Sequence, residues 1–384
     1  MKNTKILIGL MAIFSANSYA NNNIQPDGNV QAVAMANTNL RGSENLSVAH
    51  NHFDVEKSKV LSKGFPLNKN DKVLLSNIFG GITVKIWNKK EIKVDVSIKA
   101  SGNSEEEASR LLDNVNVTAL KEGDQASFKT TIEEFKTKRK NRNGNQIKIF
   151  YTVYMPANNS LTATQQYGNV VLPNFSGATY LKVQYGDLTT GDLSNTNNYI
   201  SVQYGKAALG NINAAKIKQQ YGGGLTIKTV NTLDLSAQYS KVNIGSITGE
   251  ATIDQQYGSG LTITMAKNLV IKSQYSDVKL GKATGYISAK LAYSGLNVDN
   301  VSNDCKKIEL SASYADVSLA FAANFNGDFN LGVDYGSFNY GANVVAQKSD
   351  SNSSSTSKKY SGKIGIGGSA SINIKVNYGS VKFN

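Results

Sequence analysis

Residues 269–282 read Leu-Val-Ile-Lys-Ser-Gln-Tyr-Ser-Asp-Val-Lys-Leu-Gly-Lys, with Tyr275 at the centre, Ile271 four places before it, and Val278 and Leu280 three and five places after it. Much the same pattern surrounds Tyr167, Tyr185, Tyr204, Tyr221, Tyr239, Tyr257, Tyr293, Tyr314 and Tyr335, about once every eighteen residues. Each tyrosine is followed by Gly, Ser or Ala. A fixed short period of this kind marks a repeat architecture in which each unit buries its apolar face by stacking on its neighbours. The fold class expected is all-β, a parallel β-solenoid of Tyr-Gly coils with an N-terminal β-rich region carrying one short helix.

Before each Tyr, side chains alternate with period two, so positions −4, −2 and 0 share a strand face, as in Leu181, Val183 and Tyr185. After it the apolar parity changes, and a corner must lie between. Gly168, Gly186, Gly205, Gly222, Gly258 and Gly336 occupy that corner, while Ser240, Ser276, Ser294 and Ala315 replace Gly elsewhere, so positive φ is not expected to be obligatory there. Gly222-Gly223-Gly224 and Gly258-Ser259-Gly260 delay the next apolar residue by one place, which suggests bulges. Because the tyrosines share parity with Leu, Ile and Val, their rings are expected inward. The alternative is an exposed aromatic stripe. Gln166, Gln184, Gln203, Gln220, Gln238, Gln256 and Gln274 have the opposite parity and are expected to form an outward amide ladder.

Working outward, residues 1–20 carry Lys2 and Lys5, an apolar run from Ile6 to Phe14 and the small-x-small ending Ser18-Tyr19-Ala20, the pattern of a signal peptide cut after Ala20. No Cys follows that run, which argues against lipoprotein processing, and no later stretch is apolar enough to span a bilayer as a helix. Export to the periplasm, the cell surface or the medium is expected. Residues 21–51 read as a flexible leader rich in Asn, Ala and Gln. His50 and His52 beside Asp54 have metal-ligand spacing, but without a third ligand they read as surface polar residues. Cys305 is the only cysteine, so no internal disulfide forms, and a buried thiol is expected.

Residues 52–160 form the N-terminal β-rich region. Ile82-Val84-Ile86 and Ile92-Val94-Val96-Ile98 alternate as strands around Asn88-Lys89-Lys90. Phe79-Gly80, with Leu75 before and Ile82 and Val84 after, already obeys the repeat rule with Phe in place of Tyr. The interruption that follows holds a capping box, Ser104 and Glu107, a helix over 105–112, and three further strands. Between the last two lies a basic hairpin containing Lys136, Lys138, Arg139, Lys140 and Arg142. It reads as a solvated tip or as a contact for an anionic polymer such as lipopolysaccharide or nucleic acid. The Tyr-Gly repeat fills 161–384, broken by a Ser-rich flexible insertion at 348–359, and Ile374-Val376-Tyr378-Gly379 with Val381 and Phe383 make a closing coil. No separate anchoring or sorting domain is expected beyond it.

The entry Asn77-Ile78-Phe79-Gly80-Gly81-Ile82-Thr83-Val84-Lys85-Ile86-Trp87, the hairpins after it and the Tyr-Gly coils after Val153-Tyr154-Met155-Pro156 resemble the bacterial exported domain-of-unknown-function family of putative adhesins, itself similar to the head-GIN putative autotransporter adhesins. The resemblance implies a β-solenoid on the cell envelope and brings no catalytic residues.

Net charge is +13, or +11 once Lys2 and Lys5 leave with the signal, which permits association with acidic polymers. The partners to weigh are an acidic surface polymer, a glycan or extracellular matrix. A β-helix polysaccharide lyase or hydrolase would need clustered carboxylates, or a base with a metal. No Arg follows Arg142, no His follows His52, and Asp187, Asp234, Asp277, Asp299 and Asp316 are scattered among corners. The expectation is a non-catalytic envelope or surface module without a cofactor, with a periplasmic structural or regulatory protein as the alternative.

Overall fold

The computed structural model describes residues 55–133, 146–349 and 356–384. The chain divides after His50 into two units, and the first lies outside the described residues. The second is all-β with one helix. Its strands follow from the alternation around each Tyr. Residues before one tyrosine pair in parallel with those before the next, as in Leu235↔Ile253 and Ile271↔Ala289. Residues after it do the same along the series Leu225, Val242, Leu261, Val278, Leu296 and Val317.

Between the two runs of strands lies the core. In the unit of Tyr239 it receives Leu233, Leu235 and Ala237 from before the ring and Val242 and Ile244 from after it, all buried. Each of the Leu, Val and Ile side chains contributes roughly 1.5–3 kcal/mol by leaving water. The apolar series is continuous from unit to unit.

The corner departs from the sequence expectation. Every repeat tyrosine has φ between 50° and 56°, and its ring is 41–56% exposed, so the rings point outward. Positions −4 and −2 do face the core. Position 0 does not, because a single left-handed residue breaks the alternation at the tyrosine itself rather than after it. The glycines that follow are needed for a different reason from torsion. A Cβ on Gly186 would collide with the carbonyl of Gly168, and one on Gly205 with that of Gly186. The two Gly-rich bulges are present, with positive φ at Gly224 (132°) and Gly260 (126°). In those units position −2 is a fully buried glutamine whose amide donates across the corner, Gln219 Nε2 to Gly205 O (2.9 Å) and Gln255 Nε2 to Ser240 O (2.8 Å).

Near the N-terminus the described strands are β1 (Val55–Pro66), β2 (Lys72–Ile86), β3 (Glu91–Gly102), β4 (Val115–Glu122), β5 (Gln125–Ile132), β6 (Gln146–Met155) and β7 (Ser160–Leu172), with the helix α1 (Glu105–Asp113) between β3 and β4. Strand β2 pairs in parallel with β7, placing Phe79 one rung before Tyr167. Thus the repeat does begin at Phe79. On its other side β2 carries β5 along its first half and β6 along its second. Beyond these, β4 lies antiparallel on β5, β3 on β6 and β1 on β3. Antiparallel strands therefore end the parallel stack, and β1 blunts its outer edge with lysines and Pro66, a usual defence against edge pairing. Helix α1 starts where its cap predicts: Ser104 Oγ accepts from Glu107 N (3.2 Å) and the Glu107 carboxylate accepts from Asn103 N (3.0 Å).

At the other end chain order and spatial order part company. The strand Lys307–Ser313 pairs with Ser371–Asn377, which in turn pairs with Gly327–Asp334. Tyr378 accordingly stacks between Tyr314 and Tyr335. The closing coil of the sequence is an inner rung, inserted ahead of one that precedes it in the chain. Gly327–Asp334 is covered by Ser357–Ile364, antiparallel, and that strand by Val344–Ser349. Of the Ser-rich stretch expected to be flexible, residues 348–349 and 357–359 are thus in strands, and 350–355 lie outside the described residues.

Candidate binding surface: the aromatic ladder

Phe79 and the eleven tyrosines form one file of stacked rings, with centroids 4.7–5.4 Å apart and planes 3–22° from parallel. Left-handed φ favours Gly, Asn and Asp, and a large side chain there costs roughly 1–2 kcal/mol. Backbone preference alone would put Asn or Gly at these corners. The repeated choice of an aromatic must come from the ring, and each stacked pair returns ~0.5–1.5 kcal/mol.

Because the faces are occupied by neighbouring rings, what the ladder presents to solvent is a row of ring edges and phenol hydroxyls. On the −1 side runs the amide ladder, Gln166 Nε2 to Gln184 Oε1 (3.1 Å), then Gln184 to Gln203 (3.4 Å), Gln203 to Gln220 (2.7 Å), Gln220 to Gln238 (3.0 Å) and Gln238 to Gln256 (3.5 Å); it stops short of Gln274, because Gln256 Nε2 donates to Asp254 Oδ1 (3.0 Å) instead. On the other side, Asx residues two places after the ring accept backbone N–H groups of the next unit. Asn169 receives Asp187 N (2.8 Å), Asp187 receives Lys206 N (2.7 Å), Asp277 receives Gly295 N (2.7 Å) and Asp316 receives Ser380 N (2.8 Å). A groove of about 1060 Å³ runs along this flank, with Tyr293, Tyr314, Tyr378, Lys279 and Lys382 in its lining.

Several corner carboxylates are therefore engaged in capping rather than gathered for acid–base work. Asp234 is held by Lys216 (2.8 Å). Among the described residues no group of three or more His, Cys, Asp or Glu stands close enough to hold a metal ion. Cys305 is buried, and burial pushes its thiol up to about 11, away from nucleophilic use at neutral pH. Tyr151 is likewise pushed up to about 12 by burial; its hydroxyl shares a hydrogen bond with Thr130 (2.8 Å) inside the N-terminal end. No helix among the described residues is long and apolar enough to cross a membrane. Lys136, Lys138, Arg139, Lys140, Arg142, His50, His52 and Asp54 lie outside the described residues.

Sequence reasoning misplaced the outward row, yet a signal for it existed. Core positions vary freely, for example Val183, Gln219, Ala237, Ser273 and Leu291 at −2, whereas position 0 is Tyr in every unit after Phe79. A row that never accepts an aliphatic side chain is selected for something other than burial.

No family model and no curated protein matches this chain. Solved structures similar to it include a putative cell adhesion protein from Clostridium sporogenes, at 8% identity over 85% of this chain and 99% of that one, with a TM-score of 0.19. Putative adhesins from Parabacteroides distasonis (10% identity, 85% and 97% covered, TM-score 0.30) and Parabacteroides merdae (8%, 85% and 96%, TM-score 0.28) are also similar. These structures bear the descriptions putative adhesin or putative cell adhesion protein, the same kind of name as the family that the Phe79-Gly80 entry and the Tyr-Gly units resemble, and at such TM-scores they carry no argument about this chain.

Proposed function

We propose that this chain is a parallel β-solenoid exported to the cell envelope, and that it is a non-catalytic module binding an extended, hydroxyl- or amide-rich polymer such as a glycan along its aromatic ladder. The observation that supports this reading is the file of tyrosines kept outward at corners whose backbone favours other residues. Ring faces are used up by stacking, so a sugar would meet edges, hydroxyls and the flanking glutamine amides, repeated at the ~4.8 Å strand spacing. A repeated linear surface suits a repeated linear ligand.

The test is glycan and matrix binding by the purified chain beside a variant carrying Tyr239→Ser, Tyr257→Ser and Tyr275→Ser. Binding by the parent that falls at least about tenfold in the variant, with circular dichroism unchanged, is expected. Undiminished binding by the variant, or no binding by the parent, would leave the ladder a structural stack and favour the periplasmic structural reading.

A further inference from the structure

A separate cluster, away from the tyrosine corners, surrounds the turn between β2 and β3. Its cavity, about 600 Å³, is walled by residues 67–69, 86–90 and 156–159. These walls are fastened to one another. Leu67 N donates to Lys90 O (2.9 Å), Trp87 N to Met155 O (3.2 Å), and Asn159 Nδ2 to Asn68 O (2.8 Å) and Asp71 O (2.9 Å). The indole of Trp87 is fixed by its own hydrogen bond to Glu91 O (2.9 Å). The cavity is thus a shaped site before any ligand arrives.

Its charge is one-sided. Lys69, Lys89 and Lys90 line it; Lys85 stands over the neighbouring Tyr154 ring at 5.4 Å, and Lys93, at 5.7 Å from the same ring, is paired with Asp95 (2.9 Å). Lys89 rests 5.0 Å from the Trp87 ring centroid and 3.8 Å from Glu91, an exposed pair of little strength. Lys69 and Lys90 make no ion pair among the described residues. An incoming anion would therefore break no strong salt bridge. The side-chain amides of Asn88 and Asn158, on the same walls, make no hydrogen bond among the described residues and are available to a polar ligand.

We propose that this cavity binds an acidic saccharide unit, its carboxylate, sulfate or phosphate held by Lys69, Lys89 and Lys90 and its hydroxyls by Asn88 and Asn158. A nucleic acid is the poorer fit, because the Trp87 ring is already engaged by Lys89 and by Tyr154 at 5.4 Å and leaves no free platform for a base. A bilayer surface is the poorer fit because the lining is a walled cavity that sets three lysines and four asparagines among its apolar residues, rather than a continuous apolar face.

Trp87 is the only tryptophan in the chain, so its fluorescence reports this cavity alone. Titration of the full chain with polygalacturonate and with dextran sulfate should give a saturable emission change that neutral dextran does not, with affinity falling as salt rises. The variant K69Q/K89Q/K90Q keeps the reporter; it should bind at least about tenfold more weakly and lose roughly one unit of salt slope per lysine removed. The triple tyrosine variant should bind the acidic polymer as the parent does, which separates failure of this site from failure of the ladder. An unchanged Trp87 emission, equal affinity of the lysine variant, or a stronger response to duplex DNA or anionic phospholipid vesicles would overturn the assignment.

Discussion

The middle of the ladder and its two ends are held in different ways. Between Tyr185 and Tyr293 each rung meets the next about eighteen residues along the chain, and the contacts are apolar rows, backbone ladders and side-chain bonds of kinds that recur from unit to unit, such as the glutamine ladder. At the ends neighbouring rungs are far apart in sequence. Asn77 and Gln165 are 88 residues apart, Asp316 and Ser380 64. There, specific side-chain bonds appear inside and around the stack: Asn77 Nδ2 donates to Gln165 Oε1 (3.0 Å) and Ile149 O (2.8 Å), and Thr130 Oγ1 donates to Asn77 Oδ1 (2.9 Å). A rung in the middle is specified by repetition. A rung at an end must be told from all the others, and polar pairs that fit only one register can do that.

The sharpest break of this comparison is deletion of residues 371–384. It removes an inner rung, with Ile372, Ile374, Val376, Val381 and Phe383 all buried, a loss of order 10 kcal/mol at ~1.5–3 kcal/mol for each side chain. Residues 327–364 should lose hydrogen-exchange protection while 225–290 keep theirs. Protection retained over 327–364 would mean that those strands dock without the inserted rung.

Next in size is the contrast within one middle unit. Leu235→Ala should destabilise by ~2–5 kcal/mol through loss of a buried side chain. Tyr239→Ala, half-exposed with two stacking partners at ~0.5–1.5 kcal/mol each, should destabilise by less, ~1–3 kcal/mol, and Tyr239→Gly by less again because glycine relaxes the left-handed corner. Denaturant unfolding measures all three, and equal losses for Leu235→Ala and Tyr239→Ala would place the ring energetically in the core.

The smallest effect lies in the N-terminal cap. The Asp71 carboxyl is held below its usual range by its hydrogen bond with Lys121, supported by the backbone N–H of Asn68. With the folded value depressed, the stabilisation is present above the unfolded pKa, near 4, and disappears as pH falls through the folded value. Lys121→Met should therefore flatten the decline in unfolding midpoint below about pH 4. An acid profile unchanged by the substitution would show that the pair adds nothing to the cap.

How far the sequence was legible follows the same division. The period, the Phe79 start, the two bulges and the glutamine ladder all follow from spacing, because strand pairing repeats whatever the chain repeats. The direction of the rings does not, since one residue in the left-handed region flips the face and Tyr is not a residue that announces that region. Nor does the inserted rung: Ile374, Val376 and Tyr378 match the pattern of every unit and so name no particular neighbour. The Trp87 cavity escaped because its walls come from three stretches of chain that only the β2–β6 pairing and the Asn159 bonds bring together.

The inserted rung also sets an order of events. Units can settle one on another as the chain is delivered, up to the strands around Tyr314, since each finds its predecessor already in place. Residues 327–364 come next and find no seat, because the surface they pair with belongs to 371–383, which follows them. That stretch must wait as an unfinished hairpin, and assembly finishes by placing the later segment first. Chain order and stacking order are reversed here, and closure of the 327–371 loop has to precede stacking of the strands that come before it.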